Sequence, residues 1–311
     1  MRTTLKLNEI VQEWMLDLDV LPTTKADYKR KIELWFRFLA ASNVDAREPQ
    51  RHHILEYKQH LQASGKSNFT CNSYVTVVKI FYGYCEMRRY YDNIGLGIKS
   101  SNKQREHYKH PLTRVESNRL LESINTDSLV GKRDKLMIAL MLTNGLRTCE
   151  INRINIEDFE SEGEQTVLYV QRKGRTDKRE RVAIPSVVYE LLEDYLSFRE
   201  CDMCDPLIIN HAFSSREPTR LAKETISAIV KRRLRAIGID NSKITAHSLR
   251  HTCGSLMVEE NMEVEDIKDM LGHTSTNVTR IYIDMARQKR MIERSPSKKL
   301  AGILFKTSKK R

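Results

Sequence analysis

Basic, imidazole and phenol side chains between residues 147 and 282 have the types and spacing to act together on one anionic group. His247 and Arg250 are three residues apart in the peptide ITAHSLRHTCGSLMV, so on a helix they share one face. Arg147 follows the Gly145 turn in TNGLRTCEI, and Glu150 lies one helical turn further on, where it can hold the guanidinium. Each motif alone is typical of surface or structural positions, so neither predicts a site by itself.

A second stretch, MLGHTSTNVTRIYID, is more specific. Gly272 lies just before His273, and Tyr282 follows nine residues later, so a helix end, a histidine and a helix-borne tyrosine are presented in sequence. Lys173 lies beside Gly174 in the cationic turn of a predicted hairpin, where its ammonium can swing against a phosphate. Without the other motifs, a capped helix with a core tyrosine and an ordinary turn lysine would explain these residues.

In chain order, the six candidate residues resemble the catalytic set of the tyrosine recombinase (phage integrase) family: Arg147, Lys173, His247, Arg250, His273 and Tyr282. Their peptides are similar to the family's Gly-Leu-Arg, hairpin Lys-Gly, His-x-Leu-Arg-His, Leu-Gly-His and terminal Tyr motifs, in the same order and spacing. The resemblance covers about residues 111–290, and the N-terminal helices resemble the family's core-binding domain in type and size.

This resemblance implies an enzyme that cuts and rejoins duplex DNA through a 3′-phosphotyrosyl intermediate. Guanidinium forks match phosphate oxygens, so Arg147 and Arg250 would stabilise the charge that grows in a five-coordinate transition state. No cofactor or metal is expected, since the sequence has neither a Gly-rich Lys-Ser/Thr nucleotide loop nor an evident carboxylate cluster for paired Mg²⁺ ions.

The same resemblance implies a role for each remaining side chain. Tyr282 would be the nucleophile, and His247 the base that helps it, because a phenol with a pKa near 10 is about one part in a thousand ionised at neutral pH. Lys173 would protonate the departing 5′ oxygen. His273 would donate to the phosphate or orient the tyrosine.

The spacing of apolar residues predicts the elements that must position these side chains. Four N-terminal segments have helical periodicity: residues 5–17, 24–41, 52–63 and 68–89. They predict an all-helical domain over residues 1–93, which the resemblance implies is a core-binding domain, and its aromatics are expected to form a core rather than platforms for stacking bases. Residues 94–112, rich in Gly, Ser, Asn and cations, predict an interdomain linker.

Residues 113–290 are expected to form the catalytic domain. The runs TVLYVQ and ERVAIP predict one β-hairpin around the turn RKGRTDKR. Helical patterns surround it: residues 113–124, 131–142, 186–199, 221–237, 247–260, 263–271 and 276–283. The predicted fold class is mainly α with a small antiparallel β-sheet, an all-helical N-terminal core-binding domain followed by an α+β catalytic domain.

Charge and cysteine usage limit the partners. The chain has 53 Lys and Arg against 41 Asp and Glu, a net charge of +12, which fits nucleic acid better than a membrane, although a merely soluble basic protein has the same balance. With no signal peptide and no apolar run of bilayer length, we expect a cytoplasmic, nucleoid-associated protein. Its cysteines should stay reduced, and the zinc-like spacing of Cys201 and Cys204, with His211 nearby, is expected to be an ordinary loop.

Two cationic helix flanks are candidates for DNA contact, with a solvated charged face as the alternative. They are Lys25, Lys29 and Arg30 in the first domain and Lys231, Arg232 and Arg235 in the second. Residues 291–311 form a predicted basic tail containing LAGILF, which could dock on a neighbouring protomer, as a segment after the nucleophile often does in the family. A disordered tail is the alternative, and Gly302 weakens any helix there.

The expected function is that of a site-specific recombinase of a mobile element, an integrase acting with an excisionase. Its expected partners are duplex DNA with inverted-repeat core sites, three further copies in a homotetramer, and accessory DNA-bending or directionality proteins. The alternatives are an Xer-type resolvase of chromosome or plasmid dimers, a type IB topoisomerase and a non-catalytic DNA-binding protein. Because the chain begins almost directly at the core-binding helices, no extra arm-site domain is expected.

Overall fold

The computed structural model describes residues 6–99, 110–211, 219–273 and 275–304. Its contacts divide the chain into two compact units, Met1–Glu106 and His107–Arg311. Residues 100–109 of the predicted linker lie outside the described residues, and the predicted domain boundaries stay a prediction. None of the described helices combines the length and the apolar character that crossing a membrane requires.

The first unit contains four helices: α1 (Leu7–Asp17), α2 (Pro22–Ala41), α3 (Arg51–Ala63) and α4 (Asn68–Met87). Pro22 suits the first turn of α2, where its missing N–H is not needed. Ser67 caps α4 by accepting a hydrogen bond from the Thr70 amide at 3.2 Å. The four helices predicted from periodicity are all present.

Aromatic side chains fill the core of this unit. Trp35 is fully buried, packs edge-on against Tyr57 at 5.1 Å between ring centroids, and donates from Nε1 to the Tyr82 hydroxyl at 3.2 Å. Tyr82 in turn donates to the Ala46 carbonyl at 3.0 Å. The buried stripe predicted along α4 includes Tyr82 and Phe81, so the prediction that these rings form core is confirmed.

The second unit is built from nine helices and one sheet, counted over its described residues. The helices are α5 (Arg114–Glu122), α6 (Leu129–Thr143), α7 (Thr148–Arg153), α8 (Ser186–Leu196), α9 (Lys223–Ala236), α10 (Ala246–Glu259), α11 (Val264–Met270), α12 (Thr276–Arg294) and α13 (Pro296–Leu304). The strands are β1 (Phe159–Glu162), β2 (Gln165–Val170) and β3 (Glu180–Ile184), antiparallel in the order β1-β2-β3. The predicted fold class is confirmed.

Helix α6 lies at the centre of this unit, with residues 136–142 all buried in its main core. Such burial on every side explains why this stretch is uninterruptedly apolar instead of amphipathic. The chain leaves α6 through Gly145, which adopts a left-handed φ of +62° and so ends the helix. A side chain at Gly145 would collide with Leu271, so the turn packs directly against the end of α11.

Three features differ from the sequence-based expectation. Strand β1 was not predicted, because FESE has no apolar alternation and forms by pairing at the edge of the hairpin. Helix α12 continues to Arg294, beyond the predicted end near residue 283. Part of the predicted tail is the helix α13, which Gly302 does not prevent because one glycine costs a helix only about 1 kcal/mol. Residues 305–311 of that tail lie outside the described residues.

Asp134 is the centre of a buried ion cluster that ties α6 to α9. It is completely buried, and its Oδ1 accepts from Arg133 at 2.6 Å while its Oδ2 accepts from Arg233 at 2.6 Å. Arg232 lies 3.5 Å from the same Oδ2. One carboxylate therefore balances several guanidinium charges, and its loss would leave them unpaired.

We predict that Asp134→Asn lowers the free energy of unfolding by about 3 kcal/mol, because a buried guanidinium loses its anion. Urea denaturation followed by far-UV circular dichroism measures this loss. Asp240→Asn is the matched control, since Asp240 is an exposed partner of Lys231 and Arg235 and its replacement should leave the midpoint nearly unchanged. Equal losses for the two variants would contradict the role of Asp134 as a core ion partner.

Candidate active site

Arg147 is held at the start of α7 by the carboxylate of Glu150. The Arg147 amide donates to Glu150 Oε2 at 2.9 Å, and its Nη1 donates to Oε1 at 2.6 Å. Glu150 is only 1% exposed, whereas the Arg147 side chain remains partly open to solvent. The pair expected from the spacing is therefore present, and the carboxylate fixes one edge of the guanidinium.

A second arginine, Arg172, binds the other side of this carboxylate. Its Nη1 lies 3.4 Å from Glu150 Oε2, and its Nη2 donates to the Met270 carbonyl at 2.9 Å. Burial alone would raise the pKa of Glu150, but the charge and amide of Arg147 and the charges of Arg172 and Arg250 outweigh it and lower the pKa. Sequence reasoning missed Arg172, because nothing in RKGR separates an inward arginine from its exposed neighbours.

Arg250 on α10 connects two backbone turns. It is 1% exposed, and its Nη1 donates to the Gly145 carbonyl at 2.6 Å while its Nη2 donates to the Leu271 carbonyl. Burial, with the nearby charge of Arg147, lowers its pKa to about 10, so it stays charged at neutral pH. Because its acceptors are neutral carbonyls, its positive charge is not cancelled by them.

His273 and Tyr282 lie against each other behind this cationic group. Their rings are stacked at 6.1 Å between centroids with an interplanar angle of 8°. His273 is buried and its Nδ1 is 2.9 Å from Thr279 Oγ1. Burial and the charges of Arg250 and Arg147 lower the pKa of His273 to about 3, so its imidazole is neutral at physiological pH.

Tyr282 is withdrawn into an apolar cluster instead of projecting into solvent. Only 3% of it is exposed, and its neighbours include Met257 on α10 and Ile267 on α11. Burial raises the pKa of its phenol in spite of the opposing charge of Arg250. The Tyr282 ring packs closely against α10 at Gly254. A Cβ at Gly254 would be 2.8 Å from Tyr282 Cζ, so this approach of α12 to α10 requires a glycine.

His247 and His251 continue this row of rings along α10. His247 is exposed, and its ring centroid is 4.7 Å from that of His251, which is 5.5 Å from that of Tyr282. His251 belongs to the His-x-Leu-Arg-His motif on α10, but no role was predicted for it from the sequence. The only signal for it was its spacing of four residues from His247, which places both on one helical face.

Lys173 lies between two cavities. One, of about 620 Å³, is lined by Arg147, Lys173, His247 and Lys231 among others. The other, of about 630 Å³, is lined by Lys173 and His273 together with residues of β3 and α11. Four of the six predicted residues line these cavities, whereas the buried Arg250 and Tyr282 line neither.

The sequence model of the phage integrase family matches residues 111–289, which is more than half of the chain. The chain belongs to the phage integrase family. It is therefore a tyrosine recombinase, an enzyme that breaks and rejoins DNA strands. The family membership expected from the sequence motifs is confirmed.

Relatives of known identity extend this similarity beyond the matched domain. Tyrosine recombinase XerA of Pyrococcus furiosus is 26% identical over 292 residues, which are 91% of this chain and 91% of that protein. The structure of XerH site-specific recombinase bound to palindromic difH substrate has a TM-score of 0.72 at 22% identity, covering 89% of this chain and 80% of that one. A lambda integrase tetramer bound to a Holliday junction has a TM-score of 0.69 at 17% identity, covering 89% and 77%. Both structures share the fold.

In this recombinase, the cationic residues predicted on α9 are partly engaged with acidic partners. Lys231 lines the smaller cavity, with its ammonium 3.1 Å from Asp240 Oδ1, and Arg235 Nε donates to the same oxygen at 3.0 Å. Arg232 is mostly exposed and lies 3.5 Å from Asp134. Only Lys231 of the three therefore lies beside the candidate catalytic residues.

The candidates on α2 of the recombinase belong to the first unit. Lys29 is exposed, and Lys25 Nζ lies 3.5 Å from the Leu16 carbonyl. Arg30 is mostly exposed, pairs with Asp27 at 2.9 Å and reaches the Tyr74 hydroxyl at 3.4 Å. Their contact with DNA stays a prediction.

Among the residues that the structure describes, one group has side-chain atoms placed to hold a metal ion. These are His52, His53 and Glu56 on α3, whose ligand atoms lie within 4.8 Å of one another, and none belongs to the candidate catalytic set. Cys201 and Cys204 are exposed thiols. His211 contacts the Tyr195 hydroxyl at 2.9 Å and does not complete a metal site with them.

We predict that His273 stays uncharged between pH 8 and 5, since its pKa is lowered to about 3. A histidine NMR titration measures this, with the spectrum of His273→Gln identifying the resonance. The unfolded chain takes up this proton near pH 6.5 and the folded chain does not, so this residue stabilises the fold above pH 6.5 and the stabilisation is lost as the pH falls. A titration midpoint near 6.5 in the folded protein would contradict the prediction.

Proposed function

We propose that this chain is a site-specific recombinase in which Tyr282 attacks a phosphorus of duplex DNA and forms a 3′-phosphotyrosyl link. The observation that carries the proposal is the gathering of Arg147, Arg250 and His273 around a buried tyrosine beside a cationic cavity. A phosphate in that cavity would meet the Arg147 guanidinium, with the charge of Arg250 and the buried phenol close by.

In this proposal Arg147 binds the non-bridging oxygens and Arg250 adds its positive charge. Glu150 occupies one edge of the Arg147 guanidinium, which has five N–H donors in all, so the remaining edge can address a phosphate. Arg250 contributes mainly its charge from beneath the cavity, since its fork is used by the carbonyls of Gly145 and Leu271. Both charges favour the transition state, where the phosphate is more negative than in the ground state.

Tyr282 must move to react, because its phenol is buried and its pKa is raised. We propose that DNA binding shifts α12 so that the phenol enters the cavity lined by His247 and Arg147. His247 then accepts the phenol proton while the bond from the phenol oxygen to phosphorus forms. His273, held neutral and stacked on the ring, orients the phenol or donates to the phosphate.

Lys173 completes the exchange by giving a proton to the 5′ oxygen as its bond to phosphorus breaks. One phosphorus–oxygen bond forms and one breaks, so the energy of the phosphodiester is kept in the phosphotyrosyl link. Attack by another 5′ hydroxyl reverses the step, with Lys173 accepting a proton and His247 returning one to Tyr282. Religation of this kind needs neither ATP nor a redox partner.

We further propose duplex DNA with inverted-repeat core sites as the substrate and a homotetramer as the working assembly. Support comes from the XerH and lambda integrase structures described above, which are complexes with DNA, the second of them a tetramer. The exposed apolar residues of α13, Leu300, Ile303 and Leu304, would dock on a neighbouring protomer. The cationic flanks of α2 and α9 would contact DNA phosphates.

For the biological role, we propose resolution of chromosome or plasmid dimers, the Xer-type alternative. Its support is the similarity to XerA along 91% of both chains. The support for the mobile-element role, which was the first expectation from the sequence, is the likeness to the lambda integrase structure at 17% identity over 89% of this chain. Accessory DNA-bending or directionality proteins stay a prediction for either role.

We predict that the protein incubated with genomic DNA of its source cell gives a covalent DNA adduct that survives denaturing gel electrophoresis. Tyr282→Phe should abolish the adduct while DNA binding in a gel-shift assay persists, since only the nucleophilic oxygen is removed. Tyr169→Phe, on β2, is the matched control and should still form the adduct. An adduct with Tyr282→Phe, or none with the unaltered protein, would refute the covalent mechanism.

We predict that sequencing of the DNA ends trapped in this adduct identifies one chromosomal or plasmid site, and that two differently marked duplexes containing it exchange strands. Ends flanking the gene itself would instead support a mobile-element integrase. Relaxation of supercoiled DNA without strand exchange would indicate a topoisomerase and overturn the proposed recombination. A circular plasmid with two direct copies of the site should resolve into two circles.

A further inference from the structure

Arg172 occupies an unexpected position for a residue of a basic turn. It lies directly before Lys173, two residues after the end of β2, yet it is only 4% exposed. Its guanidinium reaches Glu150 on α7 and the Met270 carbonyl at the end of α11. One side chain thereby connects the hairpin with the segment that holds Arg147 and with the segment that leads into His273.

The loop before His273 is shaped around Arg172. A Cβ at Gly272 would lie 2.5 Å from Arg172 Nε and 2.9 Å from its Cδ and Cζ, so a side chain here would displace the Arg172 side chain from its present position. Gly272 also has a φ of +57°, which glycine adopts without strain. The close approach explains in physical terms why a glycine precedes His273 in this chain.

Packing alone does not account for an arginine at this position. Its buried Nε has no hydrogen-bond partner in the part of the chain that the structure describes, and an unsatisfied buried donor is destabilising. An apolar side chain would fill the space without that penalty. What an apolar residue would lack is the fork that contacts Glu150 and Met270 together.

Arg172 also fixes the start of the turn that contains Lys173. The Arg175 amide donates to the Arg172 carbonyl at 3.1 Å, and Gln171 Nε2 donates to the Arg175 carbonyl at 2.9 Å. Lys173 itself is exposed and lies between the two cavities. The anchored start of the turn therefore determines on which side of the hairpin the ammonium of Lys173 lies.

We propose that Arg172 is a positioning residue that places Lys173 against the phosphate held by Arg147. This inference rests on the proposed function, in which Lys173 protonates the departing 5′ oxygen. Arg172 touches neither the phosphate nor the leaving oxygen in this scheme. It acts by holding the hairpin to Glu150 and to the Met270 carbonyl, so that the ammonium of Lys173 stays in a fixed position during the reaction.

The test compares two versions of the DNA site mapped through the covalent adduct. One is ordinary DNA, and the other has sulfur in place of the bridging 5′ oxygen at the cleaved phosphate. A thiolate leaves without protonation because thiols are much stronger acids than alcohols. Cleavage of the sulfur substrate therefore does not need a general acid, but it still needs the nucleophile and the phosphate-binding arginines.

We predict that Arg172→Met cleaves ordinary DNA about 100-fold more slowly, within the range for loss of a general acid, and cleaves the sulfur substrate at nearly the unaltered rate. Lys173→Ala should give the same pattern. Arg147→Lys should be slow on both substrates, because it loses the guanidinium fork that binds the phosphate. Arg175→Met is the matched control on the same turn, since Arg175 is exposed, and it should be near normal on both.

Each outcome decides a different point. If Lys173→Ala is rescued by sulfur and Arg172→Met is not, Arg172 is not a positioning residue for the acid, while the proposed function stands. If Lys173→Ala is not rescued, the acid role of Lys173 fails and the proposed function needs another donor. Should Arg172→Met fail to fold by circular dichroism, Arg172→Lys replaces it in the comparison. This variant keeps the charge but cannot bridge both acceptors, so a sulfur-rescued defect supports the inference and an unrescued one overturns it.

Discussion

The buried carboxylate of Glu150 is the interaction on which the arrangement of this site depends. Arg147 and Arg172 bind its two oxygens, and the charge of Arg250 is near enough to help lower its pKa. Three guanidinium groups repel one another in a region of low dielectric, so they can be gathered only around an anion. One carboxylate balances one of the three charges, and the surplus is what a DNA phosphate would neutralise.

The other acceptors of these arginines preserve that surplus. Arg250 donates to the carbonyls of Gly145 and Leu271, and Arg172 donates to that of Met270. A carbonyl satisfies an N–H donor and fixes its direction but contributes no full negative charge. Carboxylates in the same places would hold the arginines equally well and would cancel the attraction for phosphate. Hydrogen bonds to backbone carbonyls therefore orient the guanidinium groups without neutralising their positive charge.

Sequence patterns predicted those parts of this arrangement that depend on local spacing. The Gly145 turn, the Arg147 and Glu150 pair and the buried stripe of α4 each follow from residues within a few positions of one another. The inward direction of Arg172 depends on a carbonyl 98 residues away, and no local pattern encodes such a contact. Strand β1 likewise forms through its pairing with β2 and not through its own composition.

The burial of Tyr282 was also beyond the reach of the sequence, because a helical period gives a face but not the state of the hydroxyl. Burial raises the pKa of the phenol, while the cations nearby lower it, so the ring in its apolar cluster is a poor nucleophile. If the ring moved next to Arg147, the cations would lower the pKa of the phenol further, and burial would no longer raise it. In the proposed reaction the phosphate binds to the surplus positive charge before the phenol arrives, so a tyrosine kept out of the cavity until DNA is present is protected from reaction elsewhere. The glycine at position 254 makes that stored position possible, since any side chain there would push the ring out.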